Sequence, residues 1–91
     1  MRVEFDPAKN EKNIRERGLS FELAADFDFS TAVIAEDSRK DYSEGRFVAL
    51  GYVGSRLHVR CFTPRNGGIR VISFRKANDR EVKRYAKTKG I

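Results

Sequence analysis

The chain has 91 residues and a formal net charge of +6, and 35% of its residues are charged. A chain of this length builds one small core, so residues 1–91 are expected to form a single domain. The lone Cys61 excludes an internal disulfide and a cysteine-only zinc site, and no apolar run reaches the roughly 18 residues of a membrane helix.

The start, MRVEFDPAK, carries charges at Arg2, Glu4 and Asp6 and has no apolar run of signal-peptide length. The expectation is a cytoplasmic protein with no membrane contact. Charge is sorted along the chain: residues 1–45 hold 7 Lys/Arg against 11 Asp/Glu, a net −4, and residues 46–91 hold 12 against 2, a net +10. Segregation of this kind suits a surface that meets phosphates or an acidic partner.

In chain order, Arg2–Phe5 predicts a short strand. Asp6-Pro7 predicts a helix start, with an aspartate N-cap and proline at the first helical position, and Gly18 predicts its end after about Arg17. Asp6, Lys9 and Asn13 read as parts of this helix that define the fold. Ser20 can cap a second helix, Phe21 to about Phe29, forming a helix pair. Thr31–Ala35 is β-branched and apolar and predicts a strand, and the charged stretch Glu36–Gly45 an exposed loop. Asn78, with Glu81 three residues on, predicts a capping box and a last helix to about Lys87. On a helical wheel Lys76, Arg80, Lys83, Arg84 and Lys87 form one cationic stripe, opposite Val82, Tyr85 and Ala86.

Between these lie three strands, RFVALGYV, RLHVRCFT and GIRVISFRK, broken at Gly54-Ser55 and at Asn66-Gly67-Gly68, residues that tight hairpin turns demand. Two-residue loops predict that Leu50 pairs with Val59, Ala49 with Arg60, Arg60 with Ser73 and His58 with Arg75. Alternation then sorts the meander into two faces. Val48, Leu50, Tyr52, Leu57, Val59, Cys61, Ile72 and Phe74 form the face expected to lie under the helices. Phe47, Ala49, Gly51, His58, Arg60, Phe62, Val71, Ser73 and Arg75 form the face expected to be open and to work. The expected fold class is α+β, with the helix pair and the C-terminal helix packed on an antiparallel sheet of four or five strands.

DPAKNEKNIRERGLSFELA, then Glu44 and Arg46 before a strand-rich middle, then GIRVISFRKANDREVKRY, resembles the BrnT toxins of bacterial type II toxin–antitoxin systems, from Phe5 to Tyr85. The resemblance implies a compact RelE-like fold, a ribonuclease that blocks translation, and a ribbon-helix-helix (BrnA-like) antitoxin that neutralises it and binds operator DNA. The family usually has Lys-His-Gly where this chain has Glu16-Arg17-Gly18, alanine in place of Phe74, and often apolar residues in place of His58 and Arg60. The role of that histidine is therefore not carried over.

RNA cleavage without a metal needs a base for the 2′-OH, cations for the phosphorane and an acid for the leaving oxygen. The basic half has only Asp79 and Glu81 as carboxylates, which predicts no metal site and no cofactor. Arg75 is the first candidate for a phosphate clamp, since a bidentate guanidinium matches phosphate geometry and the residue falls in the family motif; the alternative is an ion pair with Glu81. Arg65 joins it as a catalytic candidate. His58 is the only histidine and a candidate base or acid, and Tyr85 a candidate proton donor or a packing aromatic. Arg46, Arg60, Arg70, Lys76, Arg80, Lys83 and Arg84 are candidates for RNA binding, Arg70 alternatively for a salt bridge. Phe47 and Phe62 face each other, to stack bases or to pack. Two further functions stay open: a non-catalytic partner and co-repressor of a DNA-binding antitoxin, and direct DNA binding by the Lys76–Lys87 stripe.

Overall fold

The computed structural model describes residues 2–38 and 44–91. Five strands form one sheet: β1 (Arg2–Phe5), β2 (Val33–Glu36), β3 (Phe47–Val53), β4 (Arg56–Arg65) and β5 (Gly68–Lys76), in the order β1-β5-β4-β3-β2. The three long strands form the expected meander. Its turns are Gly54-Ser55 and Asn66-Gly67, flanked by the pairs Val53–Arg56 and Arg65–Gly68. The glycines there take φ values of 61° and 74°, which L side chains resist. Strand β2 pairs antiparallel with β3, starting two residues and ending one residue later than the sequence predicts, and β1 is parallel to β5. A Cβ on Gly68 would run into the Arg2 backbone, so this position must stay bare for β1 to pair.

Helix α1 (Pro7–Arg17) has the predicted ends: the Asp6 side chain accepts from Ala8 N, and Gly18 closes it in the left-handed conformation. It buries none of its own residues. Polar contacts dock it instead. Asn13 Nδ2 donates to Leu19 O and to Phe74 O, both at 2.9 Å, and Asn10 Oδ1 accepts from Phe21 N at 2.7 Å. Strand β1 accompanies β5 only from Gly68 to Val71, and α1 takes over beside the remaining edge. The second predicted helix is a 3₁₀ helix, Phe21–Asp26, capped by Ser20 and stopped before Phe27. The chain then turns at Asp28, whose carboxylate accepts from the Ser30 amide and hydroxyl and from the Thr31 hydroxyl. Helix α2 (Asp79–Lys89) opens with the predicted capping box between Asn78 and Glu81. Of the predicted loop Glu36–Gly45, residues 39–43 lie outside the described residues.

One irregularity decides the faces. Phe62 pairs with Val71 but Cys61 with Ser73, so β5 carries an extra residue, Ile72, as a β-bulge. The predicted pairs Arg60–Ser73 and His58–Arg75 are therefore wrong. Arg60 pairs with Phe74, His58 with Lys76 and Val59 with Arg75. Beyond the bulge every β5 side chain is on the face opposite to the one expected.

Both faces carry cover, from different parts of the chain. The 3₁₀ helix lies over Ala49, Phe62, Val71 and Phe74, with Leu19, Phe21, Ala24 and Phe27 completing that core. Helix α2 lies over the other face, where Tyr85 and Ala77 pack on Leu50, Leu57 and Val59. The face expected to be open is thus the one beneath the N-terminal cover. The uncovered surface is the part of the opposite face that α2 does not reach.

Candidate functional site

Paired residues share a face of a sheet. The pairs Val59–Arg75, Cys61–Ser73 and Thr63–Arg70 therefore place Arg70, Ser73 and Arg75 together on the α2 side. In a regular strand positions 70 and 75 would point to opposite sides, because their separation is odd. The bulge at Ile72 removes that conflict.

A cleft of about 670 Å³ opens there, floored by Val33, Val48, Leu50, Val59 and Cys61. Arg75 and Ser73 enter from β5, Glu81 and Arg84 from α2, and Glu36 and Asp37 from the end of β2. Arg75 and Glu81 form a bidentate pair, Nη1 to Oε1 and Nη2 to Oε2, each 2.8 Å. Arg75 Nη1 also donates to Lys76 O at 3.3 Å, while Glu81 accepts from Asn78 N at 2.9 Å. The Arg75 hydrogen bonds, with the Asn78 amide and the charges of Arg75 and Arg84, hold the Glu81 carboxyl well below its ordinary range, at about 2. The same pairing raises the Arg75 value. This is the ion pair weighed as the alternative for Arg75, and it stands inside the cleft. It occupies two of the guanidinium's five N–H groups and Lys76 O a third, which leaves donors for an anion.

Two further cavities lie along β5. One of about 330 Å³ lies between α1 and the β5 edge, lined by Lys9, Lys12, Arg17 and Asn13, and shares Ser73 and Arg75 with the first. Another, of about 230 Å³, is lined by Lys9, Glu44, Arg46, Thr63, Arg65 and Arg70. Arg65 donates from both terminal nitrogens to Glu44, at 3.1 and 3.2 Å, which lowers the Glu44 carboxyl and raises Arg65. Arg65 is therefore remote from Arg75 chemistry and belongs to the smaller cavity.

Three expected site residues are in the interior. Arg60 is fully buried, with its guanidinium 4.0 and 4.1 Å from the ring centroids of Phe27 and Phe29. Its Nη1 donates to Ala24 O at 2.8 Å, and Nε and Nη2 have no partner among the described residues. Burial pushes its value down to about 10. It offers RNA no surface. His58 is buried and stacked on Phe74 at 5.2 Å. Its Nδ1–H donates to Arg56 O at 2.9 Å, and burial, aided by the charges of Arg56 and Lys76, lowers its value. Tyr85 is buried, edge-on to Tyr52, and its hydroxyl donates to Thr31 O at 2.8 Å. Neither His58 nor Tyr85 reaches the cleft. Phe47 and Phe62 do stack, at 5.8 Å, but as part of the core under the 3₁₀ helix.

The cationic stripe divides. Arg84 lines the cleft, whereas Lys76, Arg80, Lys83 and Lys87 are exposed and line none of the three cavities. The Arg70 side chain forms no hydrogen bond or ion pair among the described residues, so the salt bridge weighed for it is not formed there. Sequence reasoning put Ser73 on the working face without giving it a role, and it missed Asp37 and Glu36, which come from the acidic half of the chain. Only the structure brings the end of that half's β2 to the cleft that Arg75 enters. Among the described residues no three His, Cys, Asp or Glu side chains gather as a metal site, and no helix is long and apolar enough to cross a membrane.

A family model described as ribonuclease toxin, BrnT, of type II toxin–antitoxin system matches residues 5–81. No curated protein matches the chain.

Proposed function

Because this chain belongs to the BrnT ribonuclease toxins of type II toxin–antitoxin systems, we propose that it cuts RNA without a metal ion, at the cleft holding Arg75, and so blocks translation. The observation that carries this reading is the Arg75–Glu81 pair. A guanidinium fixed by a carboxylate at 2.8 Å on both arms is oriented in advance, and preorganised cations stabilise charge that develops only in the transition state. The 2′-hydroxyl attacks the adjacent phosphorus as it loses its proton. Arg75 and Arg84 balance the charge of the resulting phosphorane, and the 5′-oxygen leaves and takes a proton from solvent water, giving a 2′,3′-cyclic phosphate and a 5′-hydroxyl. Glu81 is a poor proton acceptor at about 2. Asp37, which lines the same cleft, is the carboxylate assigned that task.

The family implies a cognate antitoxin. We assign it to the ribbon-helix-helix type, BrnA-like, linking this chain to operator DNA, with acidic residues that cover the cleft; the compartment is the cytoplasm. The purified protein is expected to cut RNA in the presence of EDTA, and Arg75→Ala to keep its circular-dichroism spectrum while the cleavage rate falls by about 10²–10³-fold. Undiminished cleavage by that variant removes Arg75 from the site. A second reading, a non-catalytic partner and co-repressor of the antitoxin, draws on the burial of His58 and Tyr85, which leaves the cleft without imidazole or phenol among the described residues. Expressing the chain alone separates the two, since only the first predicts growth arrest with loss of RNA integrity.

A further inference from the structure

The small cavity beside Arg70 has a composition that the cleavage chemistry does not use. Among the described residues it gathers Lys9, Arg46, Arg65 and Arg70 against one carboxylate, Glu44. Glu44 is taken by Arg65, and Arg70 has no ion-pair partner among the described residues. Its cross-strand neighbour Glu4 is engaged by Arg2 at 3.4 Å, and a guanidinium without an ion pair in a concave, half-buried setting suits an anion.

A third cavity stands between this one and the cleavage cleft. The Arg70 cavity shares Lys9 and Ile72 with the cavity beside α1, which in turn shares Ser73 and Arg75 with the main cleft. The bulge puts Arg70 and Arg75 on one face, five residues apart along β5. At about 3.3 Å per residue they stand roughly 13–17 Å apart, about two or three nucleotides of an extended strand.

We propose that the Arg70 cavity is a phosphate subsite for the same RNA strand that Arg75 engages, so that the substrate is single-stranded RNA lying along β5 across the bulge. This rests on the cleavage reading above and extends it from one phosphate to a run of nucleotides. The strand is single because the main cleft has an apolar floor of Val48, Leu50 and Val59, which suits an unstacked base. Bases stacked in a duplex present no face to such a floor.

Non-cleavable 2′-O-methyl oligonucleotides, a trimer and an octamer of mixed sequence, test this by fluorescence anisotropy with the full chain. The octamer should bind at least about tenfold tighter than the trimer. Arg70→Ala should erase most of that gain, leave the trimer little changed and lower the salt slope of octamer binding by about one. Lys9→Ala, at an exposed helix position, should act in the same direction and guards against a folding defect in the strand variant. If both variants keep the octamer gain while the wild type still cuts RNA, the subsite is overturned and its cations are left to the antitoxin. Duplex RNA binding as tightly as the octamer overturns the single-strand assignment. If neither oligonucleotide binds and no RNA is cut, the subsite and the cleavage reading fall together.

Discussion

Arg60 brings a cation into a part of the molecule where water does not reach. Three rings surround it, Phe27, Phe29 and Phe62, the last at 5.0 Å, and one carbonyl accepts from it. Cation–π contacts contribute about 2 kcal/mol when desolvated. The desolvation of a guanidinium with two orphaned nitrogens costs several kcal/mol. The fall in its value to about 10 reports the same imbalance. Arg60→Met, similar in length and apolar, is therefore expected to stabilise the fold by about 1–2 kcal/mol, read as a higher urea midpoint with unchanged slope. A lower midpoint would mean that the aromatic cage outweighs the desolvation. Glu81 behaves in the opposite way, since its ionised form is the one the fold favours. Its folded value of about 2 lies below the ordinary 4.5, so its contribution is complete above about pH 4.5 and is lost as the pH falls toward 2. Glu81→Gln should flatten that part of the stability–pH curve. At neutral pH it should cost about 1–2 kcal/mol, a figure discounted because Arg75 is 36% exposed.

Among the elements, those whose ends are set by local chemistry were legible in advance. Asp6-Pro7, Gly18 and the Asn78/Glu81 box bound the two helices within two residues of expectation, and Gly54-Ser55 and Asn66-Gly67 mark the two hairpins. The bulge was not legible. Nothing in GIRVISFRK marks Ile72 as the extra residue, because the bulge is chosen by what the two halves of β5 must bury. Ile69 and Val71 belong with Phe62 under the N-terminal cover, and so does Phe74, at an odd spacing from both. Only a shift of one residue puts all three there. Arg75 is turned out to the other side as a result. Deleting Ile72 makes the pairs Phe62–Val71, Cys61–Ser73, Arg60–Phe74 and Val59–Arg75 consecutive, so Phe74 stays covered and Arg75 outward. The deletion variant is therefore expected to keep a cooperative thermal transition, and its loss would mean that the Ile72 side chain itself holds the β5 edge. Ile72→Val, which keeps the count of residues, should melt within a few degrees of the parent.

At the scale of the whole molecule, the charge sorting along the chain was a sound guide to the presence of a cationic surface and a poor guide to which face bears it. The +10 half supplies β3, β4, β5 and α2, but its fully buried member, Arg60, adds nothing outside, and the acidic half lends Asp37 and Glu36 to the cleft. What remains outward is a field larger than any one contact. Arg80, Lys83 and Lys87 are exposed and stand apart from the three cavities, yet their charge still acts on an approaching polyanion within about a Debye length, roughly 8 Å at physiological salt. Charges that attract without touching change the encounter rate and leave the lifetime of the complex alone. The double variant Lys83→Glu/Lys87→Glu is accordingly expected to slow association with the 2′-O-methyl octamer several-fold at 50 mM salt, and to lose that difference near 300 mM, with the dissociation rate nearly constant. Stopped-flow fluorescence measures both rates. Were the dissociation rate to rise instead, the outer side of α2 would be in contact with RNA, and the strand path would have to leave β5 for the helix.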